Sequence, residues 1–144
     1  MREIKFRGKR VDTGEWVYGS LCVAEKYYIV YDNDFTVSTD CCGKHLIADR
    51  FFEVIPESIG QYVGLNDSKR TKEYPEGQPI YEGDIVHCNS QFDSGDMVVI
   101  FEEGQFRMVC LENYKDYITG MGYYAIQCFE KEVIGNIHDK EDTP

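Results

Sequence analysis

The sequence predicts a mostly β protein, a small barrel or sandwich with little helix. Short runs of alternating apolar and polar residues, separated by turn residues, dominate the chain, and no segment keeps a helical period over three turns. Aromatic residues make up 14% of the 144 residues and include 11 tyrosines. Tyrosine suits a pleated, half-buried surface. The apolar fraction of 42% is that of a globular rather than a disordered chain.

The first strands are predicted from alternation on either side of a turn. EIKFR and EWVYGSL alternate apolar and polar residues around the turn residues 12–14. YYIVY (27–31) and FTV (35–37) flank three polar residues, which predicts a hairpin between them. LIADRFFEVI (46–55) suits a helix or a strand, and its Phe pair and β-branched end favour a strand. Pro56 ends it, because the residue before a proline prefers extended geometry.

The rest of the chain continues this pattern. Ser58 is expected to cap a short turn before QYVGL, and the polar, irregular residues 66–79 predict a surface loop. Strands are predicted at IVHC, MVVIF, QFRMVCL, YYAIQCF and VIGNI, with the clearest hairpin turn at residues 102–104. Residues 113–124 are expected to form an aromatic, glycine-bearing loop, and residues 138–144 are expected to form a frayed, flexible tail.

The length predicts a single domain, residues 1–144. Within it we expect an N-terminal β segment (1–65) and a C-terminal part (80–137), joined by the loop of residues 66–79. No apolar run approaches a membrane-spanning length, and the charged N-terminus does not read as a secretory signal. A cytoplasmic location is therefore expected.

The net charge of −11 is unevenly placed. Residues 1–72 hold eleven acidic and eleven basic residues, whereas residues 73–144 hold fifteen acidic and four basic ones. An acidic surface repels phosphate backbones, so nucleic-acid binding is disfavoured. The exception is the basic arm MREIKFRGKR (1–10), which keeps nucleic-acid association as an alternative function. Imitation of DNA is a second reading of the acidic half, and solubility explains the same charge more simply.

The cysteines are expected to be free thiols, because no secretory signal accompanies them. They are Cys22, Cys41, Cys42, Cys88, Cys110 and Cys128. Cys41, Cys42 and His45 offer soft ligands close together, but zinc sites usually show two separated ligand pairs. Adjacent cysteines on a regular strand also do not readily point at one ion. We therefore expect a loop with exposed thiols, no metal and no cofactor, although metal binding by these three residues stays open.

Catalytic chemistry has little support in the sequence. None of the histidines lies in a context that suggests a triad, and neither a nucleophile elbow nor a phosphate-binding glycine loop is present. The enzyme alternative is a carboxylate or thiol site near Glu82, Asp84 and Cys88, since paired carboxylates can share a proton or bind a hard cation. A turn is the favoured interpretation. Gly83 permits a positive φ, Asp84 can bond to nearby amides, and two β-branched residues begin a strand.

Three blocks of sequence together resemble the YopX family of phage and prophage proteins. They are MREIKFRGKRVDTGEWVYGSL at the start, IGQYVGLNDS with IYEGDIV in the middle, and EVIGNIHD near the end. The resemblance implies a β-rich fold with an SH3-like barrel in the C-terminal half, encoded by bacteriophages of bacteria with low-GC genomes. It implies no established activity and no catalytic residue. This chain carries SKRTKEYPEGQP where the family usually has a compact turn, so the loop conformation is not inherited from the resemblance.

The signature blocks identify a fold more than a site. They include Gly64, Gly83, Asp84 and Gly135, which are best explained by backbone geometry. Neither a catalytic, nor a cofactor-binding, nor a metal-binding residue can be taken from them.

The expected function is that of a phage-encoded, non-enzymatic protein-binding or assembly module. The partner is expected to be a host or phage protein, preferably a basic one, or a second copy of the chain. An edge strand or the aromatic loop, with Tyr114, Tyr117 and Tyr123, is expected to make the contact.

Overall fold

The structure is a computed structural model that describes residues 3–31, 35–48, 50–89, 94–102, 104–110 and 130–139. Within these ranges the chain forms antiparallel strands and a 3-10 turn, Pro56–Ser58, and contains no α-helix. The mostly β class is therefore confirmed. The strands are β1 (Phe6–Lys9), β2 (Trp16–Val23), β3 (Tyr27–Val30), β4 (Phe35–Asp40), β5 (Gly43–Ala48), β6 (Phe51–Glu53), β7 (Gly60–Asn66), β8 (Pro79–Tyr81), β9 (Asp84–Asn89), β10 (Ser94–Glu102), β11 (Gln105–Cys110) and β12 (Glu130–Asn136).

The chain divides into two compact units, with the boundary between Gln61 and Tyr62. In the first unit the strands follow the order β6-β3-β2-β1, and the first residues of β7 pair with β1. The hairpin of β1 and β2 confirms the turn predicted at residues 12–14, which ends at Gly14 with φ 75°. The core of this unit is a cluster of Val17, Ile29 and Val54.

The hairpin predicted between residues 27–31 and 35–37 is wrong. Strand β3 pairs on one side with β2 and on the other with β6, whereas β4 pairs with β5 from Phe35↔Ala48 to Asp40↔Gly43. Both sides of β3 are thus occupied, one by β2 across a short local turn and the other by β6, which local turn signals cannot identify. The strand interpretation of residues 46–55 is confirmed by the end of β5 and by β6.

Pro56 begins the 3-10 turn, and Ser58 ends it. Ser58 is therefore not the N-terminal cap of this turn. Its buried hydroxyl Oγ donates to the carbonyl of Ile55 at 2.6 Å and accepts from the amide of Lys9 at 2.8 Å. The side chain fastens the turn to β1, which the sequence pattern does not reveal.

In the second unit, four strands form a sheet in the order β11-β10-β9-β12, and β7 pairs with β8. The turn predicted at residues 102–104 is confirmed, because Glu102 pairs with Gln105 across β10 and β11. One face of the sheet packs against β7 and β8 through a cluster that includes Val63, Ile80 and Val99. Ile85, Val98 and Val109 form a second buried cluster in this unit.

The predicted barrel closure is not observed in the described strands. The sheets remain open, since β11 and β12 lie at opposite sides of the four-stranded sheet and are not paired with each other in the described register. The backbone of β12 is instead engaged by the residues that follow β7, as described below. None of the described helical segments has the length and apolar character that crossing a membrane requires.

Candidate functional site

The carboxylate pair at residues 82–84 lies at the turn between β8 and β9. Asp84 is 1% exposed, and its Oδ2 accepts a hydrogen bond from the amide of Tyr81 at 2.8 Å. Gly83 has φ 91°, its amide donates to the carbonyl of Val99 at 2.8 Å, and its carbonyl accepts from the amide of Ile137 at 3.0 Å. The backbone of Gly83 therefore connects the turn to two further parts of the unit. The Asp84 carboxylate stabilises the same turn by its hydrogen bond to the backbone.

The thiol of Cys88 lies in the core. Cys88 is 2% exposed, and its Sγ contacts Met108 Sδ at 3.6 Å. Burial raises the pKa of this thiol above its ordinary value. Because the thiolate is the nucleophile, a buried thiol with a raised pKa is poorly reactive. The neighbouring His87 is exposed and pairs through Nδ1 with Asp96 Oδ1 at 2.8 Å on the sheet surface. The structure does not gather these residues into one catalytic arrangement.

A buried aspartate that the sequence analysis did not single out organises the contact between β12 and the segment that follows β7. Asp67 is 3% exposed. Its Oδ1 accepts from the amide of Gln78 at 2.8 Å, its Oδ2 accepts from the amide of Val133 at 3.1 Å, and its own amide donates to the carbonyl of Gln78 at 2.8 Å. One carboxylate thus closes the base of the segment 67–78 and joins that segment to β12.

Ser68 continues this contact along β12. Its amide donates to the carbonyl of Lys131 at 2.8 Å, and its Oγ accepts from the amide of Lys131 at 3.2 Å. Together with Asp67, it supplies the hydrogen bonds that a neighbouring strand would supply. Unpaired backbone groups at a sheet edge are available for pairing with another chain. Residues 67 and 68 therefore protect this edge.

The segment 67–78 and β12 line a groove that we call the 67–78 groove. It consists of two cavities of about 280 Å³ and 410 Å³, and Lys69 and Glu132 line both of them. Lys69 Nζ lies 2.8 Å from Glu132 Oε1, and this bond raises the pKa of Lys69. Further lining side chains in the larger cavity include Lys72 and Tyr74. The signal available in the sequence was the run Asn66–Asp67–Ser68 directly after an apolar strand, since these side chains readily bond to the backbone.

Residues 6–9 of the basic arm form strand β1 of the first sheet. Arg7 and Lys9 are buried, and their charged groups lie 4.5 Å and 5.6 Å from the centre of the Trp16 ring. Arg10 bonds to the carboxylate of Asp12 at 2.7 Å and 2.9 Å. This pair lowers the pKa of Asp12 and raises that of Arg10. These cations are engaged by the protein's own side chains and do not form an exposed phosphate-binding row.

The remaining predicted residues are distributed over the chain. Gly64 has φ 93° in β7, and Gly135 lies at an irregularity in the pairing of β12 with β9. Cys41 and Cys42 form the exposed turn between β4 and β5. His45 lies in β5, but its side chain is outside the described part of the structure. The three residues of the predicted contact loop, Tyr114, Tyr117 and Tyr123, also lie outside the described residues.

The architecture is that of an antiparallel β protein with two units and a groove walled by a tethered loop in the second. Residues 5–142 match the family described as YopX protein, and the chain therefore belongs to the YopX family. Neither a curated protein nor a solved structure matches the chain.

Proposed function

We propose that this YopX-family protein is a non-enzymatic binding module that engages a protein partner through the 67–78 groove. The observation that carries the proposal is the buried Asp67 carboxylate, which bonds to the amides of Gln78 and Val133. These bonds fix the segment 67–78 against β12, so both walls of the groove are ordered before a partner binds. A binding surface that is ordered in advance loses less conformational entropy on association.

The contacts of the polar side chains favour binding over catalysis. The Asp84 carboxylate bonds to the backbone amide of Tyr81, and the Cys88 thiol is buried against Met108. A general base or nucleophile needs access to the reacting group. Residues with these interior contacts suit stabilising roles, so an enzyme centred on them has little support.

Charge suggests the class of partner. Residues 73–144 contain fifteen acidic and four basic residues, so their field attracts a basic protein surface. The groove itself is lined by side chains of both charges, including the cations Lys69 and Lys72 and the carboxylate Glu132. Mixed charges in the groove fix the orientation of a partner, while the net negative charge of residues 73–144 increases the rate of encounter. A phage origin, an SH3-like arrangement of the C-terminal half and action in the host cytoplasm belong to the same proposal.

Site-specific photocrosslinking in the native host tests this function. A photoreactive phenylalanine analogue replaces Tyr74, which lines the groove, or Tyr27, an exposed tyrosine of the first unit. The expected result is a covalent adduct of discrete mass at position 74 that is absent at position 27. Identification of a basic protein or of a second copy of the chain in the adduct supports the proposal. Equal labelling at both positions, or adducts at neither, would overturn it.

A further inference from the structure

The tip of the β4–β5 hairpin brings two thiols and a carboxylate together on the surface. Asp40 and Gly43 are the last register pair of the hairpin, so Cys41 and Cys42 form its two-residue turn. Gly43 has φ 119°, a conformation that glycine adopts without steric cost. Asp40, Cys41 and Cys42 are all exposed. We call these three residues the dithiol tip.

The spacing of the two sulfurs suits coordination of one ion. Cys41 Sγ and Cys42 Sγ lie 3.8 Å apart. Zinc binds cysteine sulfur at about 2.3 Å in tetrahedral sites, for which geometry requires two sulfurs about 3.8 Å apart. Neighbouring side chains on a strand point to opposite faces. Cys41 and Cys42 lie in the turn and not on a strand, so the objection to adjacent cysteines on a regular strand does not apply to this geometry.

The carboxylate of Asp40 lies beside the thiols and is oriented by the backbone. Its Oδ1 accepts a hydrogen bond from the amide of Cys42 at 2.8 Å. The ligand atoms of the three residues lie within 4.8 Å of one another, and this is the one such group of three in the described part of the chain. Three protein ligands leave one coordination position open in a tetrahedral site.

We propose that the dithiol tip is a surface binding site for a thiophilic divalent metal ion of the zinc type. Cys41 and Cys42 bind as thiolates, each releasing its proton on coordination, and Asp40 supplies the oxygen ligand. Water occupies the fourth position. The site lies in the first unit and shares no residue with the 67–78 groove, so the proposal does not rest on the function proposed for that groove.

Titration with Cd²⁺ under a thiol-free reductant tests the site. Cd²⁺ stands in for Zn²⁺ and reports sulfur ligation through ultraviolet charge-transfer absorbance, and native mass spectrometry counts ions and chains. The expected complex has one ion and one chain. Cys41→Ser and Cys42→Ser should each weaken the affinity by more than about tenfold, a change of about 1.4 kcal/mol. Asp40→Asn, which keeps the acceptor for the Cys42 amide, should weaken it to a smaller extent.

Cys22→Ser is the matched control, because Cys22 is also an exposed free cysteine of the first unit. It should bind Cd²⁺ as the parent does. The proposal is overturned if Cys41→Ser or Cys42→Ser retains the parent affinity, if Cys22→Ser loses it, or if the complex contains two chains for each ion. Circular dichroism of each variant verifies the fold, and Asp40→Asn provides a ligand-set test in which both cysteines are intact.

Discussion

The buried carboxylate of Asp67 accepts a hydrogen bond from the amide of Val133, 66 residues further along the chain, at 3.1 Å. The same carboxylate accepts from the amide of Gln78 at 2.8 Å. A single side chain therefore connects the end of β7, the start of β8 and the outer side of β12. Loss of such a carboxylate leaves buried donors without their acceptor, which costs more than the net strength of the bonds suggests.

Asp67→Ala should lower the free energy of unfolding by about 2–4 kcal/mol, because the amides of Gln78 and Val133 lose a charged acceptor. Asp67→Asn should have a smaller effect, since it retains one carbonyl oxygen. Urea denaturation measures both variants. Asp96→Ala, which removes an exposed carboxylate in the same unit, is the control and should change stability by less than about 1 kcal/mol. A loss in Asp67→Ala no larger than in this control would contradict the structural role of Asp67.

Gly83→Ala and Gly135→Ala should differ in their effects. Gly83 has φ 91°, where a side chain costs about 1–2 kcal/mol, so alanine should destabilise the protein by that amount. At Gly135 an added Cβ would meet no heavy atom within 4 Å, and alanine should change stability by less than about 0.5 kcal/mol. Thermal denaturation of the two variants provides the comparison. Equal destabilisation would show that backbone geometry at residue 83 is not the deciding feature.

Cys88 should make stability depend on pH in the alkaline range. Burial raises the pKa of its thiol in the folded state, so the unfolded chain ionises first as the pH rises. Its contribution is fully present below the ordinary thiol pKa of about 8.5 and is lost as the pH rises through the raised value. Cys88→Val removes the titrating group. Urea denaturation over this range should show a steeper decline for the parent than for the variant, and parallel declines would refute the linkage.

Arg7→Ala should destabilise the first unit by about 1–2 kcal/mol, because it removes both the cation–π contact with Trp16 and the buried stem of the side chain. Trp16 is the only tryptophan in the chain, so its fluorescence follows this unit during denaturation. Lys26→Ala, at an exposed cation of the same unit, should be close to neutral.

The same Arg7 variant separates packing from nucleic-acid association. If Arg7 serves packing, the variant should leave any retention on immobilised DNA at low salt unchanged. Salt-dependent retention by the parent that disappears in Arg7→Ala would favour the nucleic-acid alternative.

Local features of this fold could be predicted from the sequence because their signals are local. The turns before Gly14 and at Gly104 are marked by polar residues and glycines between alternating runs, and both glycines have positive φ. The partner of β3 on its second side could not be predicted in the same way. β3 pairs with β2 across the short turn after Val23, but its other partner is β6, which follows β4 and β5 in the chain.

The candidate groove was harder to predict than the strands that support it. Asp67 lies in a polar run, where aspartate is ordinarily a solvated turn residue. In the folded chain its buried carboxylate accepts a hydrogen bond from an amide of β12, and no local sequence pattern connects Asp67 with that distant strand. The dithiol tip shows the opposite case. The three ligands are adjacent in sequence, but only the turn geometry places the two sulfurs on one side.

The hydrogen bonds between Asp67 and Gln78 also affect how the protein tolerates changes in loop length. The two ends of the segment are joined by hydrogen bonds of the Asp67 carboxylate and the Asp67 amide with the backbone of Gln78. The residues between them therefore form a loop that is closed at its base. For a loop closed at its base, each doubling of length costs only about 0.6 kcal/mol of closure entropy. Insertions or deletions between residues 71 and 76 can therefore alter the rim of the groove while the protected side of β12 stays intact. Changes in the length of this loop could therefore alter which partner the groove binds while the strands that support it keep their structure.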